Sequence, residues 1–96
     1  MKTANLIIKG KVQGVFYRQG AKEEAERLGI TGWIKNISEG RVEVMATGNE
    51  EQLQKFIAWC RKGPRKARVE DVIVTPLSEQ KFDEFTVIRE SYPYDV

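Results

Sequence analysis

The stretch "ITGWIKNISEGRVEVMAT", Ile30–Thr47, decides the fold. Two β-rich runs, Ile30–Asn36 and Arg41–Thr47, flank Ser38-Glu39-Gly40, which is turn chemistry. In the second run Val42, Val44 and Ala46 alternate onto one face. The pair therefore reads as a hairpin. A helix lies on each side of it. Upstream, Ala21, Ala25 and Leu28 fall at i, i+4, i+7 among Glu and Lys, predicting a helix over Arg18–Leu28 stopped by Gly29. Downstream, Asn49 and Gln52 form an N-x-x-Q box, and Leu53, Phe56, Ile57 and Cys60 make the apolar stripe of a second helix. "KGPRK" ends it.

Strands are expected outside both helices. Leu6–Lys9 is a buried first strand. Ala67–Pro76 is β-rich and stopped by Pro76, and Phe85–Arg89 is a short last strand. The order is β-α-β-β-α-β with a fifth strand appended. That predicts an α+β, ferredoxin-like sandwich: an antiparallel sheet with two helices on one face. No linker, repeat or low-complexity segment interrupts it, so residues 1–96 read as a single domain with 90–96 as a C-terminal tail. The fold hosts many functions and names none.

Composition narrows the chemistry. Hydrophobic residues make up 41% and charged residues 31%, a globular balance. The net charge of +2 is too weak to argue for nucleic acid. A lone Cys60 forbids an intrachain disulfide and suits a reduced, cytoplasmic setting. "MKTANLIIKGK" has too short an apolar run for a signal peptide or a membrane span, so no membrane partner is expected. There is no histidine. That removes Ser-His-Asp and Cys-His catalysis and His-ligated metal sites.

"GKVQGVFYRQG", Gly10–Gly20, joins the first strand to the first helix without Ser, Thr, Asp or Asn to cap it. It also puts Arg18 in the first helical turn, where the dipole disfavours a cation. Gly10 and Gly14 permit a curve with backbone N–H groups on its inside, and the uncapped helix start adds more donors. These donors suit a phosphate-sized anion, whose two oxygens the Arg18 fork could take. The plain reading is a strand–helix connection with a tight turn and a solvated Arg18. Neither G-x-x-x-x-G-K-[ST] nor G-x-G-x-x-G is present.

Two stretches together are similar to a known family. "GKVQGVFYR" resembles the acylphosphatase signature, G-x-V-Q-G-V-x-[FY]-R, and "GWIKNISEGRVEV", Gly32–Val44, resembles the family's second signature. "GPRKARVEDV", Gly63–Val72, is similar to the segment after the family's second helix. The resemblance runs from about Leu6 to Arg89. It implies hydrolysis of the carboxyl-phosphate bond of a small acyl phosphate, giving a carboxylate and inorganic phosphate. Arg18 matches the phosphate-binding arginine, and Asn36 the asparagine that positions the attacking water. Gln13, Gly14, Val15, Phe16 and Tyr17 match the backbone cradle. Neither a cofactor nor a metal is implied, inorganic phosphate is expected to act as a competitive inhibitor, and the chain is expected to be a monomer. The chemistry agrees. A carboxylate leaves without a strong general acid, and phosphoryl transfer asks chiefly for positioning and charge. Phe16 stands where the family often has a smaller residue; it is expected to pack or to narrow the pocket. Gly20, inside the first helix, has no role legible from sequence.

Other features have ordinary readings. Asn36 by itself would be a strand-end residue, and Ser38 a turn residue that could touch substrate. Cys60 on its stripe is expected to be a small buried apolar residue. Tyr17, Phe16 and Trp33 could form an aromatic platform, which keeps a non-catalytic anion- or nucleic-acid-binding module as the rival. No RNA-binding signature is present, and the run Arg61, Lys62, Arg65, Lys66, Arg68 complements a helix C-terminus.

Overall fold

The computed structural model describes residues 1–89; the expected tail at 90–96 lies outside the described residues. The elements are β1 Lys2–Lys11, α1 Tyr17–Leu28, β2 Thr31–Asn36, a 3₁₀ turn Ser38–Gly40, β3 Val42–Gly48, α2 Glu50–Lys62, β4 Arg68–Leu77 and β5 Phe85–Ile88. The hairpin, both helices and all five strands are as expected, and the boundaries of β1 grow at both ends. Pro76 does not stop β4. It pairs with Ala4 inside the strand, which is tolerated because β4 is an edge.

The sheet order is β4-β1-β3-β2-β5. The first four strands pair antiparallel, as expected. The fifth departs from the all-antiparallel expectation: β5 pairs with β2 in parallel. Residues 78–84 carry the chain across the sheet from one edge to the other. That segment is pinned at Gln80, whose N–H donates to Thr3 Oγ1 (2.8 Å) and whose carbonyl accepts from Thr47 Oγ1 (2.8 Å). The crossing brings β5 to the β2 edge running the same way as β2.

One apolar cluster joins the sheet to the helices. Leu6 and Ile8 of β1, Ile34 of β2, Val42 and Val44 of β3 and Phe85 of β5 meet Ala21 and Ala25 of α1 and Leu53, Phe56 and Cys60 of α2. Alternation along each strand sends these side chains to the helix side. Asn49 caps α2 as read: its side chain accepts from Gln52 N–H (2.8 Å), and Gln52 Oε1 accepts from Asn49 N–H (2.7 Å).

Two glycines acquire reasons. Gly10 does not open the loop; it lies in β1, where the register with β4 shifts. Its φ is +129°, and a Cβ there would stand 2.1 Å from the Arg68 carbonyl oxygen, so only glycine fits. Gly20 is a packing residue. A Cβ would stand 3.0 Å from the Trp59 ring, so its absence lets α1 settle against α2.

Topology then places the site. β1 and β2 flank β3 and run parallel to each other, and β5 runs parallel to β2. Their C-terminal ends therefore gather at one end of the sheet: the loop after Lys11, Asn36, and Ile88 with Arg89.

Candidate active site

The loop 12–16 delivers α1 with its first turn bare. Gly14 has φ +74° and Phe16, the N-cap residue, φ +64°, both left-handed. No side chain caps the helix and no acidic residue lies in the first turn. The first helical hydrogen bond runs from Gly20 N–H to the Phe16 carbonyl (3.0 Å). The N–H groups of Tyr17, Arg18 and Gln19 therefore have no helical acceptor. A positive helix end with several free donors is an anion site in form.

Tyr17 anchors this end from below. Its side chain is buried, with the hydroxyl donating to the Cys60 carbonyl (2.7 Å) and the ring tilted against Trp59 at 5.4 Å. Burial pushes the phenol well above its ordinary value, and the thiol of buried Cys60 up to about 12, also by loss of solvation. Neither group ionises near neutrality. Cys60 is the inert core residue expected.

Arg18 is half-buried, and its Nη1 donates to the Ile88 carbonyl (3.2 Å), which ties α1 to the end of β5. Its pKa is lowered, first by desolvation and then by the charge of Arg89. It nonetheless stays cationic at any physiological pH. Among the described residues no carboxylate pairs with it. A partly desolvated guanidinium with a second cation near it is poised for an anion.

Asn36 ends β2 on the same face as Ile34, opposite Val42 of β3. Its Oδ1 is buried and has no hydrogen-bond partner in the protein, the one such side-chain atom among the described residues. An unpartnered buried acceptor is costly and asks for a reason. Gln13, Arg18, Asn36 and Ser38 line one cavity of about 450 Å³. The loop and the strand end that the sequence singled out separately thus meet in space.

The expected cradle residues do not behave alike. Gly14, Phe16 and Tyr17 line an adjoining cavity, with Arg18 shared between the two. Val15 turns into the core, leaving only its backbone for a ligand. The Gln13 side chain is a brace: its Nε2 donates to the carbonyls of Ile37 (3.0 Å) and Arg41 (2.8 Å), fixing the loop to the hairpin that carries Asn36. Phe16 was expected to pack or to narrow the pocket. It does not pack; it is 75% exposed at the wall of the second cavity.

Arg89, which the sequence reading passed over, lines both cavities. Nothing local in the sequence marks it, because it reaches the site only through the parallel pairing of β5. The aromatic platform does not form: Tyr17 is buried, Phe16 stands on the loop, and Trp33 alternates with Ile34 onto the far face of the sheet, under Lys35.

Among the described residues no His, Asp, Glu or Cys lines either cavity. It offers backbone donors, one shielded guanidinium and one carboxamide. That set can hold a tetrahedral anion and orient a neutral nucleophile beside it.

Known proteins share this chain's sequence and fold. The family described as Acylphosphatase matches residues 4–87. A protein of Methylococcus capsulatus named Acylphosphatase is 43% identical over 91 residues, covering 94% of this chain and 99% of its own. One of Pseudomonas paraeruginosa with the same name is 49% identical over 80 residues, covering 83% of this chain and 88% of its own. The crystal structure of acylphosphatase from Bacillus subtilis superposes with a TM-score of 0.89 at 34% identity, covering 93% of this chain and all of that one.

Proposed function

Because this chain belongs to the acylphosphatase family, we propose that Arg18, the backbone from Gln13 to Tyr17 and Asn36 are the machinery with which it hydrolyses small acyl phosphates. The chain is an acylphosphatase by family, and the roles of its residues follow from the chemistry of the site.

The phosphoryl group sits at the bare start of α1. Its oxygens accept from the loop and first-turn N–H groups and from the Arg18 fork. The Asn36 carboxamide holds a water molecule by a hydrogen bond and aims it at phosphorus. The water oxygen forms a bond to phosphorus while the bond from phosphorus to the acyl oxygen breaks. The acyl group leaves with that electron pair as a carboxylate, and both water protons end on inorganic phosphate. No side chain transfers a proton, which suits a site without histidine. Phosphoryl transfer is carried by positioning and electrostatics, and those are what the site supplies. Gln13 and Tyr17 act at one remove, by fixing the loop and the helix start.

The observation that carries the reading is Asn36, which lines one cavity with Arg18 and whose Oδ1 has no hydrogen-bond partner in the protein. The reading takes residues 1–96 as one domain acting as a monomer, without metal or cofactor. It places the protein in the cytoplasm, in keeping with a single buried thiol and with no described helix long and apolar enough to cross a membrane. The test is phosphate release from acetyl phosphate at neutral pH, with inorganic phosphate as competitive inhibitor. Release no faster than in buffer alone would overturn it.

A further inference from the structure

The net charge of +2 hides a separation of charge along the sheet. Gly48 and Leu77 pair with Lys2 and Thr3 at the start of β1, the end away from the site. Acidic side chains follow both: Glu50 and Glu51 open α2, and Glu79, Asp83 and Glu84 lie in the crossing segment. The last turn of α2 and the loop into β4 hold the reverse, with Arg61, Lys62, Arg65, Lys66 and Arg68 all exposed. Among the described residues none of these forms an ion pair; the pairs fall on Lys2, Lys22, Arg27, Arg41 and Lys55. The next acids along the chain are Glu70 and Asp71, and Asp71 stands opposite Lys9. Like charges crowded without partners repel one another and cost the folded state. Arg61 and Lys62 complement the end of α2, but Arg65, Lys66 and Arg68 lie past that end, and the helix gives no reason for them.

This run borders the start of α1. Arg68 stands opposite Lys11, the last residue of β1. The Trp59 and Tyr17 ring centroids are 5.4 Å apart, and a Cβ on Gly63, which ends α2, would stand 3.1 Å from Tyr17 Cε2. The negative end of α2 therefore lies beside the bare start of α1, where an incoming anion would meet it. We propose that the basic run reverses that field and acts as an electrostatic collector: it draws doubly charged phosphate groups to the start of α1 from a distance, without touching the bound phosphoryl group. The inference rests on the hydrolase reading above and adds how the substrate is gathered.

A positive field raises the local concentration of a small anion. It acts in proportion to charge, so it favours a dianionic acyl phosphate over a singly charged phosphodiester. It acts alike on bound substrate and transition state, so it lowers KM and leaves kcat alone.

The experiment reverses charge in two places. One variant carries Arg65→Glu with Lys66→Glu. The other carries Lys2→Glu with Lys81→Glu, the same change of net charge at the far end. Acetyl phosphate turnover and its inhibition by inorganic phosphate are measured at mildly alkaline pH. At an ionic strength of about 10 mM, where charges act over about 30 Å, the first variant raises KM and the phosphate inhibition constant together, roughly tenfold, and keeps kcat. At about 1 M, where that reach is about 3 Å, both constants return to those of the unmodified protein. The far-end variant moves them by no more than about twofold at either salt. Unchanged constants in the first variant would overturn the proposal. So would an equal rise in the far-end variant, or a rise that survives about 1 M salt and so reports direct contact. Failure of the unmodified protein to release phosphate from acetyl phosphate would instead overturn the hydrolase reading; titration with inorganic phosphate alone, read as Kd on the same variants, then still decides whether the run collects anions.

Discussion

Replacing Asn36 by Ala should move activity and stability in opposite directions. Asn36 Oδ1 is buried with no protein partner. Such an acceptor costs the folded state roughly 1–3 kcal/mol. The alanine variant removes that cost and gives up only a few packing contacts at the end of β2. The expected stability change therefore lies between zero and a gain of about 1 kcal/mol, and in a domain this small 1 kcal/mol shifts Tm by roughly 4–8 °C. Turnover should fall by roughly 10²–10³, the usual loss when one preorganised polar group of a transition state is removed. Inorganic phosphate should still compete with the same inhibition constant, because Arg18 and the loop are untouched. Thermal melts, phosphate release and phosphate inhibition, run on one preparation, report all three. A variant that melts several degrees lower would show that Oδ1 serves the fold. A variant with unchanged kcat would show that it does not hold the water. Either result refutes the reasoning.

Arg18→Ala should differ from Asn36→Ala by losing both turnover and phosphate inhibition, since the group that meets the anion is gone; retained inhibition would move the phosphate elsewhere. EDTA should leave turnover unchanged, because among the described residues no carboxylate, thiol or imidazole lines either cavity; loss with EDTA and recovery with Mg²⁺ would contradict the mechanism. Stability should also fall at high pH. Burial raises the Cys60 thiol from its ordinary 9.0 to about 12, so between those values the unfolded thiol ionises while the folded one cannot. The contribution is complete below about pH 9 and is lost as pH rises towards 12, and Cys60→Ala should show a shallower decline in denaturant midpoint over that window. An identical decline in both proteins would show that the thiol carries none of it.

Local chemistry made most of this legible in the sequence. The N-x-x-Q box at Asn49 and the stripe from Leu53 to Cys60 act within one helix, and the alternation of Val42, Val44 and Ala46 acts within one strand. The bare start of α1 is local too: the absence of a cap and the presence of Arg18 are facts about ten consecutive residues. What stayed hidden depends on partners distant in the chain. Gly20 makes sense only once Trp59 lies across it, and Gly10 only once the Arg68 carbonyl stands where its Cβ would be. Pro76 can sit in a strand because, among the described residues, nothing pairs on its outer side. Arg89 belongs to the site only because β5 crosses the sheet and turns parallel to β2. Gln13 sits in a motif that suggests a ligand contact, yet its side chain is spent on the carbonyls of Ile37 and Arg41. Of the two expectations for Phe16 only packing fails: large aromatics usually pack, but this one holds a left-handed conformation with its ring exposed at a cavity wall.

The most direct test of the account follows the oxygen of the attacking water. Acetyl phosphate is hydrolysed by the purified protein in ¹⁸O-labelled water with EDTA present, at an enzyme rate well above that of the buffer, and the products are separated. Attack on phosphorus by a water held at Asn36 predicts the label in inorganic phosphate and none in acetate. Label in the acetate would place the attack at the carbonyl carbon and contradict the roles given to Arg18 and Asn36.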